Sequence, residues 1–377
     1  MHNYIKAEIS SRAIRENIAR IKSALKPGVK LCAVIKCNAY GHGQDLLWPL
    51  IARYVDFLGV ATPAEALHLR DAGYDGPMLV FFSACAKAGE GDLGQTLDEL
   101  LRKKVTLTIT SRWELDVLTQ ATRRTGCDAK VHLAVDTGMT RSGAMPSTVA
   151  GLVQEIRLDP SLKLTGIYTH LATADESDQQ NAIAQLDCFD QVISTCSLPA
   201  DQVTIHAANS AGAIFIPRSQ YNMIRPGIAV YGYQPSEEII PDLDLKPALR
   251  LSAHIMQVKK VAAGTACGYG LTARLDRDSI VGLVPVGYGD GYMRSLSNRA
   301  VMRVRNMPAP VLGRISMDQT ILDLTDLPEV HVGDEVEIIS PDPEQPNSVE
   351  NLARLADTIP YEIICRLGKR VRRSLVD

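Results

Sequence analysis

Between Leu31 and about Tyr231, short β-rich runs alternate with helix-like segments. The runs are LCAVIK, FLGVA, MLVFF, VTLTI, KVHLAV, LTGIY, VTIH and GIAVYG, eight in all. Several are apolar throughout, as strands covered on both faces of a parallel sheet must be. The segments between them carry helix punctuation. Thr62, Pro63 and Glu65 offer an N-cap, a first-turn proline and a glutamate three residues past the cap, and Gly73 supplies a stop. Ser111 and Glu114 repeat the box, and Gly126 ends that helix. Eight β-then-α units predict a (β/α)8 TIM-type barrel, with a doubly wound open sheet as the alternative.

After about Leu243 the pattern changes. LRLSAHIMQVKKV, IVGLVPVGYG, AVMRVRN, APVLGRI, QTILDL and DEVEIIS read as strands joined by turns, with one capped helix from Asn347 to Asp357 boxed by Asn347 and Glu350. The proline-bearing stretch YQPSEEIIPDLDLKP marks the boundary. The expected division is a barrel over residues 1–242 and a mostly β domain over 243–377.

Composition narrows the partners. The 377 residues are 46% hydrophobic and 22% charged, the balance of a soluble globular protein. A formal net charge of −3 argues against nucleic acid or an anionic membrane as a partner. The eight cysteines form no Cys-x-x-Cys pair, so neither a zinc site nor a disulfide framework is indicated. Free thiols, a polar N-terminal stretch and the lack of a membrane-length apolar run together lead to an expected cytoplasmic location.

In a barrel, functional side chains gather where the strands end. The first run ends at Lys36, with Tyr40 in the turn that follows. KVHLAVDTGMTRSG leads into a glycine-bearing loop with Arg141, and LTGIYTHLATAD ends in His170. VTIHAANSAG brings His206, Asn209 and Ser210 to a helix start, and YNMIRPGIAVYG brings Arg225 and Gly227. Each has an ordinary structural reading: a solvent-seeking lysine, a packed histidine, a helix cap, an ion-pair arginine. Their fall at successive strand ends is what favours a site. A helix start at Ser210 and a close backbone approach at Gly227 suit a phosphate. A lysine at the end of a buried strand suits a nucleophilic amine. Together they point to pyridoxal 5′-phosphate held as a Schiff base.

AVIKCNAYGHG, VDTGMTRSG, YTHLATAD, HAANSAG, RPGIAVYG, GYGDGYMRSLSN, GRISMDQ and IPYE resemble, in this order and over nearly the whole chain, the bacterial alanine racemases. The resemblance implies a pyridoxal-phosphate isomerase that interconverts L- and D-alanine. By position it makes Lys36 the Schiff-base lysine and one base, and Tyr269 in CGYGLT the second base, contributed by a partner subunit. Tyr40, Ser210, Gly227, Ile228 and Tyr361 would hold the phosphate, with Asn209 at the same helix start. Arg225 would face the pyridine nitrogen, with His170 beside it. Arg141 and the backbone N–H of Met317 would bind the substrate carboxylate, and Asp175, Tyr288, Arg294, Arg314 and Ile359 would line the approach corridor. The implied assembly is a homodimer with composite sites, the implied role D-alanine supply for peptidoglycan.

One position departs from the family. Many members carry a carbamylated lysine seven residues before the carboxylate-binding arginine, and here that position is Ala134. A bound anion such as chloride, or a nearby carboxylate, is the expected substitute. Other activities fit the same outline: racemisation of serine or another small amino acid, decarboxylation on the same fold, or pyridoxal-phosphate binding without turnover. Arg141 and Tyr269 speak against a decarboxylase, and the well-developed second domain against a bare binding protein.

Overall fold

The computed structural model describes residues 4–85, 93–199, 201–236, 238–239 and 243–377. The expected boundary at 242/243 borders on residues outside that set. Strands are numbered along the chain. After β1 (Ile5–Ser10) come β2 (Lys30–Val34), β3 (Phe57–Val60), β4 (Met78–Val80), β5 (Thr106–Ile109), β6 (Ala129–Ala134), β7 (Leu162–Tyr168), β8 (Thr204–His206) and β9 (Met223–Ile224). β2 to β9 form one parallel sheet of eight strands in the order β8-β7-β6-β5-β4-β3-β2-β9. Its two ends meet at Asn222, whose N–H donates to Ile205 O at 3.2 Å while its Oδ1 accepts from Ile205 N at 2.6 Å. The result is a nearly closed (β/α)8 barrel.

The helices between these strands begin and end as their sequences dictate. In the helix Pro63–Asp71, Thr62 Oγ1 accepts from Glu65 N and the Glu65 carboxylate accepts from Thr62 N. Ser111 and Glu114 do the same for Arg112–Thr125, which stops at Gly126 with φ 69°.

One barrel strand is not where the pattern places it. The run GIAVYG is not a strand: Ile228–Tyr231 is a 3-10 turn, and the eighth strand is the short β9 just before it. Pro226 has no N–H to give a ladder, and the Gly227 and Ala229 amides turn inward to Ser210 Oγ at 2.9 and 3.4 Å. The run is apolar because it is buried on every side, not because it is extended.

The second unit contains β10 (Leu249–His254), β11 (Gln257–Val261), β12 (Ala266–Cys267), β13 (Ala273–Arg274), β14 (Ser279–Val284), β15 (Val301–Val304), β16 (Met307–Leu312), β17 (Thr320–Asp323), β18 (Glu335–Ile339) and β19 (Arg372–Val376). Its main sheet has nine strands in the order β11-β14-β17-β16-β15-β18-β10-β1-β19, and β12 pairs with β13 alone. β1 lies inside this sheet, antiparallel to β10 and parallel to β19, so residues 5–10 leave the barrel segment to which the sequence reading assigned them. Nothing local announces this, because an alternating strand is satisfied by any sheet with one wet face. The helix Val349–Ala356 is capped by Ser348, whose Oγ accepts from Asn351 N, rather than by Asn347 and Glu350. Among the described residues no helix is long and apolar enough to cross a membrane.

Candidate active site

Lys36 follows β2 at the C-terminal rim of the barrel and opens the short segment Lys36–Tyr40. The next four residues, Cys37, Asn38, Ala39 and Tyr40, all have left-handed φ values of 54°, 55°, 53° and 51°. For L-residues a left-handed turn costs about 1–2 kcal/mol per residue, so it persists only where its surroundings determine it. Here Cys37 N donates to Glu65 Oε1 at 2.7 Å, Gln44 N donates to Asn38 Oδ1 at 2.8 Å, and Arg373 Nε donates to Gly41 O at 2.7 Å. Gly41 has no room for a Cβ, which would strike the carbonyl of Ile364. The turn thus separates Lys36 from Tyr40 in a fixed way, and part of what fixes it comes from the second unit.

Lys36 is half-buried. Burial, helped by the positive charge of Arg141, pulls its amine below the ordinary lysine range, which raises the fraction of free nucleophile. Tyr40 is buried, its ring 5.1 Å from that of Tyr231 and 6.1 Å from that of Tyr361. Its hydroxyl lies against Gly227, where any Cβ would overlap it. Ser210 is buried at the start of the helix Ser210–Phe215, which Asn209 caps by accepting from Gly212 N at 2.8 Å. The Tyr40 hydroxyl, Ser210, Gly227 and the start of the turn at Ile228 therefore share one small region, with Tyr361 beside it. A glycine that must lack a side chain, amide groups and hydroxyls together make a cradle that fits a phosphate.

Arg225 lies deeper and is 4% exposed. Its Nη2 donates to Thr169 O at 2.8 Å, Ala207 O at 3.0 Å and His170 Nδ1 at 3.3 Å, and its Nη1 donates to His206 Nδ1 at 2.8 Å. The guanidinium also sits 5.0 Å from the centre of the Tyr168 ring, which stacks on His206. Burial lowers Arg225 to about 10, still well above neutrality, so it remains a cation that only donates. That fixes its neighbours. His206 must accept at Nδ1 and so carries its proton on Nε2, which lies 2.9 Å from His132 Nδ1 and donates to it. Burial and the Arg225 charge hold His206 well below the ordinary histidine value, and bring His132 and His170 down to about 3. All three are neutral at pH 7. His206 entered the sequence reading only as a strand end and His132 not at all; two histidines on adjacent runs give no one-dimensional signal that they touch.

Arg141 is exposed, and among the described residues it has no hydrogen-bond or ion-pair partner. Ala134, the position of the family's lysine, is 2% exposed. Among the described residues no carboxylate pairs with Arg141: Asp136, on the same loop, accepts from Gly138 N and Thr140 N at 3.0 Å each. The loop is closed by Asp136 N donating to Ala144 O and Ala144 N donating to Ala134 O. Gln185, buried beneath it, donates to Thr137 Oγ1 at 3.3 Å and to His170 O at 3.1 Å.

Tyr269 and Met317 belong to the second unit and are 70% and 54% exposed. Tyr269 opens the 3-10 turn Tyr269–Leu271 after β12. Tyr288 and Ile359, also assigned to the corridor, are exposed as well, and the Arg314 guanidinium lies against Gly270. Asp175 O accepts from Ser236 Oγ, and the Arg294 carbonyl accepts from Ser297 Oγ, both at 2.5 Å. The residues named from sequence thus fall into a largely buried set at the barrel rim, with Arg141 and Asp175 exposed beside it, and a largely exposed set on the β unit, of which Tyr361 is half-buried.

The chain matches the family described as "Alanine racemase, N-terminal domain" over residues 9–235 and "Alanine racemase, C-terminal domain" over residues 248–375. It is 36% identical over 377 residues to the alanine racemase of Desulfovibrio desulfuricans, covering 98% of both chains. It is 37% identical over 371 residues to that of Halothermothrix orenii, covering 98% of this chain and 96% of that one. Among solved structures, the alanine racemase of the D-cycloserine producer Streptomyces lavendulae superposes with a TM-score of 0.91 at 32% identity, over 100% of this chain and 98% of that one. The racemase of Bacillus anthracis with bound L-Ala-P is similar at 30% identity, with a TM-score of 0.88 over 100% of this chain and 96% of that one. With family matches that span both units of the fold, this chain belongs to the alanine racemase family of isomerases.

Proposed function

We propose that this protein interconverts L- and D-alanine with pyridoxal 5′-phosphate, using Lys36 and Tyr269 as bases on opposite faces of the substrate. The observation that carries the proposal is the rim itself: an amine with a lowered pKa, a glycine-lined cradle and a buried arginine brought together from β2, β8 and β9. Lys36 would hold the cofactor. Tyr40, Asn209, Ser210, Gly227, Ile228 and Tyr361 would receive its phosphate, and Arg225 its ring nitrogen, with His170 alongside. When bound, the cofactor supplies an electron sink that acidifies the substrate Cα–H.

This chain's residues do the rest. Arg141 and the Met317 amide would hold the substrate carboxylate and so fix which bond faces a base. Lys36 Nζ would take or give the proton on one face, and Tyr269 Oη on the other, so inversion needs no rotation of the substrate. Arg225, a donor that keeps its proton, would hold the ring nitrogen without protonating it. That would temper the electron sink and so disfavour side reactions.

Tyr269 and Met317 are exposed in a single chain, which supports a second face supplied by another copy. The assembly proposed is a homodimer with two composite sites. Eight free cysteines suit a reducing cytoplasm, where D-alanine would feed peptidoglycan synthesis. The test is the circular dichroism of L-alanine incubated with the cofactor-loaded protein. Decay of the signal to zero, absent in Lys36→Ala, is the expected result. A constant signal with the cofactor visibly bound overturns the assignment to alanine.

A further inference from the structure

We infer that Glu65 is a positioning residue for Lys36: its carboxylate clamps the ends of β2 and β3 together and holds the first residue of the left-handed turn that aims the lysine. The inference rests on the pyridoxal-phosphate reading above and adds a residue to which nothing in that reading gives a role.

The geometry is specific. Glu65 Oε2 accepts from Ala61 N at 2.8 Å and from Thr62 N at 3.0 Å, the N-cap arrangement of its own helix. Its Oε1 is then free to leave that helix, and it accepts from Cys37 N at 2.7 Å. Cys37 is the residue after Lys36 and the first of four consecutive left-handed residues. The second capping box of the barrel is an internal control. Glu114 accepts from Thr110 N, Thr110 Oγ1 and Ser111 N, all in its own loop, and among the described residues it reaches no other strand. A helix cap therefore does not require the third bond that Glu65 makes. The other braces on the turn act further along: Gln44 on Asn38, Arg373 on Gly41. Backbone bonds from Ala39 N to Ile35 O and from Gly41 N to Cys37 O also span this segment, but among the side-chain bonds of the described residues only that of Glu65 reaches Cys37 N, in the peptide that joins Lys36 to the turn. Glu65 also forms no salt bridge among them, so its negative charge is felt by Lys36, where it offsets part of the lowering caused by burial and Arg141.

The experiment compares Glu65→Ala, Glu65→Gln and Thr62→Ala in the full chain. Two quantities are read: the dissociation constant of pyridoxal phosphate added to cofactor-free protein, and the pH midpoint at which Lys36 captures it, followed by absorbance. Steady-state kcat and KM for alanine are measured after loading. A hydrogen bond to a charged group stabilises by about 1.5–3 kcal/mol, so Glu65→Ala is expected to weaken cofactor binding and lower kcat by roughly tenfold to a hundredfold, with KM for alanine nearly unchanged because Arg141 is untouched. Glu65→Gln keeps one oxygen for Cys37 N but turns its NH2 toward Ala61 N and Thr62 N, so it should restore only part of the affinity, while loss of the charge moves the capture midpoint to lower pH. Thr62→Ala removes the cap but not the clamp and should change neither quantity. If Glu65→Ala captures the cofactor like the wild type, or if Thr62→Ala reproduces its defect, Glu65 is only a helix cap and the inference is overturned. If Glu65→Ala does not fold, the midpoint of Glu65→Gln still decides: no shift overturns the inference. A wild-type protein that captures no pyridoxal phosphate overturns the underlying reading instead, and does so before any variant is compared.

Discussion

The two halves of the proposed site are built in opposite ways. The Lys36 half is largely buried, and its side chains and turns are fixed by hydrogen bonds among residues at the ends of β7, β8 and β9 and from Glu65 and Arg373. The Tyr269 half is exposed on a 3-10 turn of the β unit, with Leu271 and Met317 exposed near it in sequence or role. Within one chain the first half is preorganised and the second faces solvent. A general base must be held within hydrogen-bond reach of its proton, and a 70% exposed tyrosine is not held by its own chain. The difference teaches that the chain preorganises one half of the proposed site and leaves the other half exposed, as the proposed homodimer requires.

The largest expected effects test that division directly. Lys36→Ala removes the proposed cofactor anchor and one proposed base and should cost at least about a thousandfold in kcat, whereas Tyr269→Phe should lose roughly a hundredfold or more in racemisation while binding the cofactor normally. Mixing the two variants is the sharper measurement. If each site takes Lys36 from one chain and Tyr269 from the other, re-equilibrated mixtures regain roughly a quarter of wild-type activity, because half the dimers are mixed and each has one intact site. A mixture no better than its parents would show that both residues serve the same chain's site.

Next in size is the cradle. Gly227→Ala places a methyl group on the Tyr40 hydroxyl. Overpacking of this kind costs about 1–3 kcal/mol, so cofactor affinity should fall by roughly tenfold to a hundredfold. The exposed half predicts the contrary at Gly264, where a Cβ meets nothing within 4 Å. Gly264 has φ 82°, so Gly264→Ala should cost some stability from backbone strain but leave cofactor affinity unchanged. Titration with pyridoxal phosphate separates the two.

Acid should also distinguish the units. His42, His132 and His206 are buried and His170 is half-buried; all four are neutral, with burial the leading cause, at about 4, about 3, well below the ordinary value and about 3 respectively. All four lie in the barrel. Their folded pKa values are below the unfolded value of about 6.5, so the unfolded barrel binds more protons in acid. Their contribution is complete above about pH 6.5 and is lost as pH falls toward the folded values, by on the order of 1 kcal/mol per pH unit for each. Hydrogen exchange across pH 7 to 4 should show barrel amides losing protection before those of the nine-stranded sheet. Equal loss in both would mean that the two units open as one.

How much of this was legible in the sequence follows the same contrast. The barrel could be read because each β/α unit is local: an apolar run, a capped helix, a functional residue at the strand end. Seven of its strands lie in their expected runs, and both capping boxes form. The reading missed at GIAVYG, where an apolar run is a buried 3-10 turn serving the cradle. It missed again at β1, whose partners lie more than two hundred residues away in β10 and β19. The Arg225–His206–His132 chain was invisible for the same reason: its bonds span three strands, and only folding makes them neighbours. Tyr269 and Met317 could be named only through the family resemblance, since an exposed turn carries no local pattern of chemistry.

The smallest expected effect isolates what capping alone contributes on the braced side of the molecule. Ser111 and Thr62 begin helices in the same barrel with the same box chemistry, but only the box at Thr62 has a glutamate that also reaches the lysine turn. Ser111→Ala removes the bond from Glu114 N and leaves Glu114 to its own loop. Loss of such a cap typically costs about 1 kcal/mol, which should appear as a small drop in denaturation midpoint with kcat, KM and cofactor affinity unchanged. If kcat fell together with the midpoint, the rim would be sensitive to any loosening of the barrel. The site's preorganisation would then belong to the whole scaffold rather than to the few bonds that hold the turn after Lys36.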